Sequence, residues 1–384
     1  MKYTVLGAGM MGSAVAYDLA KAGPEDQIVL ADVSFDTAAR SARAIGPTVT
    51  PQALDVGNDR LVHAALRGSA AVVSAVSYAV NLQLTRTAID ARVPMVDLGG
   101  NNDIVLQQRG MHAEAAARGV TIIPNAGLAP GLVNILAMTG FQEMDATDAI
   151  HLRVGGLPLH PHPPLNYQIV FSPEGLINEY VERATVLHEG RVREVDSLTG
   201  LETIEFPPPF GTLEAFSTSG GVSVLPELLQ GKVRTLDYKT IRYPGHCEKF
   251  KTLLDLGFAA SEPLQAGASL RTHREYFIDL LWKKLDFREP DVVLLRATIA
   301  GRKSGVPTTI TYECVDHYDT ETKMTAMMRT TAFPVAVIAR MLGQGVITEH
   351  GVLPPESCVP GNTMIAELAR RCIVITKRTM ETSP

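Results

Sequence analysis

The residues whose spacing most constrains their chemistry lie near the start of the chain. Gly7-Ala8-Gly9-Met10-Met11-Gly12 is a G-x-G-x-x-G that follows the apolar run Tyr3 to Leu6 and opens a helical pattern from Ser13 to Ala22. In that setting the first glycine permits a tight turn. The second lets a pyrophosphate approach the backbone, and the third lets the helix pack on the strand. The helix N-terminus offers free N–H groups and a positive dipole end to the phosphates. Gly7, Gly9, Met10, Met11 and Gly12 are therefore candidate dinucleotide contacts. Asp32 stands twenty residues after Gly12, where the next apolar run ends. A carboxylate there suits both ribose hydroxyls and repels a 2′-phosphate. Val33, Ser34 and Phe35 follow it rather than an arginine, so NAD is expected in preference to NADP. The plainer alternative is a glycine turn in an ordinary βαβ unit. The joint presence of run, glycines, helix and aspartate weighs against it.

The densest group of reactive side chains is Asp237 to Lys249. Strand alternation puts Tyr238, Thr240 and Arg242 on one face and Lys239, Ile241 and Tyr243 on the other. Pro244-Gly245 turns the chain, and Phe250, Leu253 and Leu254 read as a helix with His246 near its N-terminus. That end disfavours imidazolium, so His246 is either a neutral proton acceptor or simply a capping histidine. The stretch Glu214 to Gly221, with Ser219, is rich in hydroxyls and glycines. It could bind a carboxylate, or be only a loop. Three further loops leave strand ends where ligands of a parallel sheet lie: Ser74 to Tyr78 with Ser77, Asp97 to Asn101, and Asn125 to Gly131. The ten histidines and four cysteines show no metal spacing, and no G-x-S-x-G elbow is present.

Elements must position these groups. Short apolar runs alternate with helical segments up to Pro130, which predicts a parallel sheet with crossover helices. The helical segments include a single helix over Val105 to Arg118. Beyond it, His151 to Gly155, Val292 to Ala300, Thr308 to Val315 and Lys323 to Arg329 read as strands. Thr331 to Leu342 returns to helix, with Pro334 in its first turn. The predicted class is α/β, an N-terminal doubly wound Rossmann sheet with a second α+β domain whose sheet is largely antiparallel. Residues 1–131 and about 331–384 would form the first domain, and about 132–330 the second. Lys2 and the apolar run after it superficially suggest a signal peptide; Gly7, Gly9 and Gly12 break that run, so the chain is read as starting directly with a strand.

Composition narrows the classes. The 384 residues exceed one compact core, and 46% hydrophobic with 20% charged residues excludes general disorder. A net charge of -6 suits neither a nucleic-acid backbone nor an anionic membrane. Cysteines without CxxC pairing fit a reducing cytoplasm.

In order, GAGMMG, LAD, VDLGG, GLAPGLVNI, EAFSTSGG, YKTIRYPGH and MMRTTAFPVAVIARMLGQGVI resemble the saccharopine dehydrogenase-like family, and most nearly its lysine 6-dehydrogenase branch. The resemblance runs through essentially the whole chain. It implies an NAD-binding Rossmann domain and an α+β substrate domain that also makes homo-oligomer contacts. The implied reaction is oxidative deamination of the ε-amino group of L-lysine, with a semialdehyde product that cyclises to a piperideine carboxylate. Saccharopine reductases carry an LDPGIDH-like stretch, whereas Ala129 and Val133 stand at its two acidic positions here. Saccharopine also has three carboxylates, which call for more cationic partners. With an amino-acid substrate, Arg242, helped by Thr240 or Ser219, is expected to take the carboxylate. His246 is the first candidate base, with Asp97 and Tyr243 next; Asp97 could instead pair with an ammonium. A saccharopine dehydrogenase and a non-catalytic NAD-binding regulator are the alternative functions.

Overall fold

The structure is a computed structural model that describes residues 1–263 and 271–381. In chain order its strands are β1 (Lys2–Leu6), β2 (Gln27–Asp32), β3 (Val49–Ala53), β4 (Ala71–Ser74), β5 (Met95–Asp97), β6 (Thr121–Ile123), β7 (Ala146–Pro158) and β8 (Ala184–His188). They continue as β9 (Arg191–Val195), β10 (Glu202–Phe206), β11 (Gly211–Ser217), β12 (Val233–Arg242), β13 (Asp291–Lys303), β14 (Val306–His317), β15 (Gly351–Val352) and β16 (Ile375–Glu381). The chain divides into two compact units. One comprises Met1–Thr139 with Met328–Val374, the other Gly140–Met327 with the tail from Ile375.

The first unit carries a seven-stranded sheet in the order β15-β6-β5-β4-β1-β2-β3, and every pairing is parallel. Its central strands are short, near-continuous apolar runs such as Ala71-Val72-Val73, as burial on both faces requires. Leu6, Val72, Met95 and Ile122 of the sheet pack with Val62, Leu66, Leu84 and Ala88 of two covering helices. The chain leaves β1 toward β2 on one side and pairs β1 with β4 on the other, so the strand order reverses there. The crevice at that switch point is where such sheets hold ligands.

The second unit is built on the order β10-β11-β12-β7-β13-β14-β16, with β8 joined to β12 and β9. The β7–β12 pairing is parallel and the others are antiparallel, so this sheet is mixed. Helices Pro173–Val181, His246–Asp255 and His273–Leu285 share an apolar core that includes Leu176, Tyr180, Phe250, Phe277 and Leu281. The first is started by Ser172, whose side chain accepts the Gly175 N–H, with Pro173 at its first position.

Five expectations need correction. The segment Lys323 to Arg329 is not a strand, because a helix begins at Ala326 and runs to Gly343. The Asp291 carboxylate on β13 accepts the N–H groups of Ala326 and Met327 at 2.6 and 3.0 Å, a start signal that comes from far along the chain. Pro334 consequently lies inside that helix rather than in its first turn. The helix predicted over Val105 to Arg118 is two, Asn102–Arg109 and His112–Ala117, broken at the weak helix former Gly110. The C-terminal tail does not stay with the first unit, because β16 pairs with β14. At the other boundary, residues 132–139 belong to the first unit. Among the described residues no helix is long and apolar enough to cross a membrane.

Candidate functional site

At the end of β1 the three glycines meet three different demands. Gly7 has φ +97°, and a Cβ there would lie 2.6 Å from the Ala75 carbonyl oxygen. A Cβ on Gly12 would lie 1.8 Å from the Gly7 carbonyl oxygen, so helix Met10–Ala22 reaches this close to the strand only without a side chain. Gly9 is exposed, and a Cβ on it would meet nothing within 4 Å. It stands at the N-cap with no side-chain cap, which leaves the first N–H groups of the helix facing open space. Met10 is exposed and Met11 partly buried in the first turn.

The carboxylate of Asp32 closes this cradle. One oxygen accepts the Ala8 N–H at 2.8 Å and the other the Ser34 N–H at 2.9 Å, which ties the glycine loop to the end of β2. A carboxylate offers about four acceptor positions, so two remain for ribose hydroxyls. The open approach at Gly9, the uncapped helix start and the anchored carboxylate together fit a nicotinamide dinucleotide. On the next loop Ser77 is exposed, and its Oγ accepts the Ala79 N–H at 3.4 Å.

Asp97 ends β5 and is fully buried. Its Oδ1 accepts N–H groups of Gly99 and Asn125 at 2.8 and 3.0 Å, and its Oδ2 accepts Gln108 Nε2 at 2.7 Å. Burial pushes its carboxyl up, while these donors pull it down. The carboxylate therefore clamps two loops together. Asn125 has φ 64°, and its side chain sits where a Cβ on Gly99 would stand. This clamp belongs to the first unit, whereas His246, Arg242, Thr240, Tyr243 and Ser219 belong to the second.

In the second unit, β12 and the Pro173–Val181 helix build a buried polar cluster. Arg242, 2% exposed, donates from Nε to the Tyr180 hydroxyl at 3.0 Å and from Nη1 to the Ile241 carbonyl at 2.9 Å. Its guanidinium lies over the Tyr167 ring, 4.7 Å from the centroid. Nη2 has no hydrogen-bond partner among the described residues. The Tyr180 hydroxyl, already accepting from Arg242, donates its own proton to His246 Nε2 at 3.1 Å. Nδ1 of His246 donates to the Leu165 carbonyl at 3.0 Å. This order fixes the neutral Nδ1–H tautomer. Burial pushes the imidazole down to about 3, helped by the Arg242 charge. His246 thus has both ring nitrogens engaged, with the Phe216 and Phe250 rings stacked on it. A base needs a free lone pair at the substrate, and in this arrangement the imidazole instead holds Tyr180 against Arg242.

The neighbouring groups are equally specific. Thr240 Oγ1 bonds Thr218 Oγ1 at 2.7 Å. Ser219 donates its N–H to the Glu179 carbonyl at 2.9 Å and its Oγ to Glu182 at 3.2 Å. Tyr243 donates its hydroxyl to the Pro158 carbonyl at 3.0 Å, at the end of β7. Glu214 on β11 accepts the N–H groups of Gly245 and Cys247 at 2.8 and 2.6 Å, so it caps the His246–Asp255 helix and pins His246.

Sequence reasoning missed Tyr180 and Glu179. Burial pushes the Glu179 carboxyl up to about 7; the Arg242 charge lowers it and Glu182 raises it. The available signal was the spacing Pro173, Leu176, Ile177, Tyr180, which predicts a buried face on a helix started by Ser172-Pro173.

Comparison with known proteins accounts for both units. Residues 3–123 match the family model described as Saccharopine dehydrogenase NADP binding domain, and residues 127–374 match Saccharopine dehydrogenase C-terminal domain. With the glycine cradle and Asp32, this indicates a nicotinamide dinucleotide as the cofactor. The mitochondrial alpha-aminoadipic semialdehyde synthase of Mus musculus is 25% identical over 248 residues, 62% of this chain and 26% of that protein. Saccharopine dehydrogenase (NADP(+), L-glutamate-forming) of Pyricularia oryzae is 23% identical over 221 residues, 56% of this chain and 48% of that protein. The chain thus spans about a quarter to a half of the length of these relatives. The solved structure of apo histidine-tagged saccharopine dehydrogenase (L-Glu forming) from Saccharomyces cerevisiae has the same fold, with a TM-score of 0.80 at 18% identity over 99% of each chain. The chain belongs to the saccharopine dehydrogenase family.

Proposed function

We propose that the chain is an NAD-dependent amino-acid dehydrogenase that oxidises the carbon bearing the ε-amino group of L-lysine. Water then replaces the nitrogen, ammonia leaves, and the semialdehyde cyclises to piperideine-6-carboxylate. The observation that carries the amino-acid reading is Arg242: a buried guanidinium held by Tyr180 and Ile241, with Nη2 left over for a carboxylate. The nicotinamide ring, when bound, takes the hydride; the protein binds, orients and excludes water. Gly7, Gly9 and Gly12 receive the pyrophosphate, and Asp32 the ribose. The free acceptor positions of Asp32 favour NAD, since its negative charge would face a 2′-phosphate. Thr240 and Thr218 add hydroxyls beside Arg242. His246 acts as a positioning residue that keeps the Tyr180 hydroxyl on Arg242.

A second reading is oxidation at the secondary amine of saccharopine, favoured by the names of the relatives. One experiment separates the two. Purified protein is incubated with NAD or NADP and with L-lysine, saccharopine or ornithine, and NAD(P)H absorbance and ammonia are followed. NADH formed with ammonia from lysine supports the first reading. Reduction with saccharopine and no ammonia from lysine transfers the chain to the second, and no reduction with any pair sinks both.

A further inference from the structure

Asp97 is a fully buried carboxyl that no cation meets among the described residues; its three hydrogen bonds come from neutral donors. A buried carboxyl without a cation is costly and depends on every donor it has. Its Oδ1 holds the N–H groups of Gly99 after β5 and Asn125 after β6, whose φ angles of 72° and 64° lie in the left-handed region. Its Oδ2 is held in turn by Gln108, on helix Asn102–Arg109. The same Gln108 nitrogen donates to Thr85 Oγ1 at 2.9 Å, on helix Asn81–Ala91, and all three side chains are 0% exposed. The other end of the amide, Oε1, is buried without a partner. Turning the amide over would set Oε1 against the Asp97 carboxylate, so the orphaned oxygen follows from serving Asp97.

This network lies on one side of the switch point. In the order β6-β5-β4-β1-β2, the glycine cradle ends β1 and Asp32 ends β2. Asp97 ends β5 on the other side, two strands or roughly 10 Å from β1. A dinucleotide with its pyrophosphate at the cradle and one ribose at Asp32 sends its other half over β4 and β5. The loop after β5 also packs on the loop after β4, since a Cβ on Gly100 would stand 2.9 Å from the Tyr78 ring.

We propose that Gln108, backed by Thr85, is a positioning residue for the nicotinamide end of the dinucleotide: it fixes the Asp97 carboxylate, and Asp97 fixes the loops at Gly99 and Asn125 that receive the nicotinamide. The three side chains act from behind those loops, because none of them reaches the surface. Asp97 thus has a positioning part in place of proton transfer. The proposal rests on the dinucleotide assignment of the cradle and is indifferent to which amine is oxidised.

The test compares NAD with ADP-ribose, which keeps the adenosine, the pyrophosphate and the second ribose but lacks the nicotinamide. If wild type binds NADP more tightly, NADP and 2′-phospho-ADP-ribose take their places. In wild type, hydrogen–deuterium exchange is expected to show residues 7–13 protected by both ligands, and residues 98–101 and 124–131 protected further by the dinucleotide alone. Calorimetric titration of Gln108→Leu is expected to weaken the dinucleotide about tenfold, the scale of a lost charge-assisted bond, and ADP-ribose less than about twofold. Asp97→Asn is expected to stay within about threefold of wild type for both ligands. In that variant the Gln108 amide turns over, its Oε1 accepts from the introduced amide and from the Thr85 hydroxyl, and the loops keep their acceptor. Equal exchange protection by the two ligands at 98–101 and 124–131 overturns the proposal on wild type alone, even if a variant fails to fold. So does a Gln108→Leu protein that loses both ligands alike, or neither. An Asp97→Asn protein that binds both ligands as wild type does but loses about a hundredfold or more in kcat overturns it as well, because that marks proton transfer. Residues 7–13 that neither NAD nor NADP protects defeat the cofactor reading itself, and the proposal with it.

Discussion

Replacing Asp32 by Asn tests the cofactor choice without dismantling the cradle. The carboxylate now accepts the Ala8 N–H at 2.8 Å and the Ser34 N–H at 2.9 Å, the second of these at an exposed position. An asparagine oxygen can keep the Ala8 bond while water takes over at Ser34, so the loop persists. What is lost is the charge. Hydrogen bonds from ribose hydroxyls to a charged acceptor contribute about 1.5–3 kcal/mol, so the NAD KM should rise roughly tenfold or more. The opposite change is expected for NADP. Two unit charges 4 Å apart repel by about 1 kcal/mol in bulk water and about 4 kcal/mol at an effective dielectric of 20. Asp32 is only partly buried, so the lower half of that range applies, and removing its charge relieves a penalty of roughly five- to fifty-fold. The assay is kcat/KM for both cofactors in wild type and variant at one ionic strength. An Asp32→Asn enzyme with unchanged NAD kinetics that still rejects NADP would refute the reasoning. Wild type that uses NADP as readily as NAD would refute it too.

Further expectations concern the glycines, the cluster and one buried acid. Gly9→Val should leave the melting temperature near wild type but abolish calorimetric NAD binding, because its side chain enters space that is open only until pyrophosphate arrives. Gly12→Val should instead lower the melting temperature sharply, since its Cβ would stand 1.8 Å from the Gly7 carbonyl oxygen; equal behaviour of the two variants would contradict the division of roles. Tyr180→Phe removes the hydroxyl between Arg242 and His246 and should raise the amino-acid KM by about tenfold with cofactor affinity unchanged; an unaltered KM would remove Tyr180 from the site. Glu356, 3% exposed, has its carboxyl pushed up to about 7 by burial, from an ordinary 4.5. Because the folded form holds the proton more tightly, this stabilisation is full below the unfolded value and is lost as pH rises toward 7. Glu356→Gln cannot ionise, so its stability should gain on wild type between pH 5 and pH 8 by an amount on the order of 3 kcal/mol, read as a widening gap in melting temperature. Parallel melting profiles across that range would disprove it.

The parts of the fold and site that could be read from sequence are those fixed by neighbours in the chain. Gly7, Gly9, Gly12 and Asp32 act through turn geometry and strand ends, and those are local. Strand parity in β12 likewise puts Thr240, Tyr238 and Arg242 in one cluster, while Lys239 turns away to pair with Glu202. The roles within that face were not legible. His246 reads as a free base only while its partners are unknown; Leu165 and Tyr180 lie 81 and 66 residues upstream. Asp97 looks reactive at a strand end until the donors Gln108 and Asn125, 11 and 28 residues away, are seen to occupy it. The hairpin of β8 and β9 escaped notice because its Glu189-Gly190 turn, with φ of 51° and 75°, is not among the usual Asn-Gly or Asp-Gly signals.

The Pro173–Val181 helix shows why a helix pattern alone under-reports what its residues meet. Pro173, Leu176, Ile177 and Tyr180 define the buried face, and Glu174, Glu179 and Glu182 fall outside it as ordinary solvated acids would. Periodicity assigns each residue an angle around the helix but does not say what the next element brings to that angle. Glu174 is exposed, whereas Glu179, one step from Tyr180, accepts the Ser219 N–H of the loop after β11 on its backbone carbonyl. The same Tyr180 that buries its ring in the core accepts from one nitrogen of Arg242 and so holds the guanidinium as a fixed donor with one nitrogen to spare. The position of that hydroxyl follows from helix packing, and that is why the Tyr180–Arg242 pair becomes visible only in the folded chain.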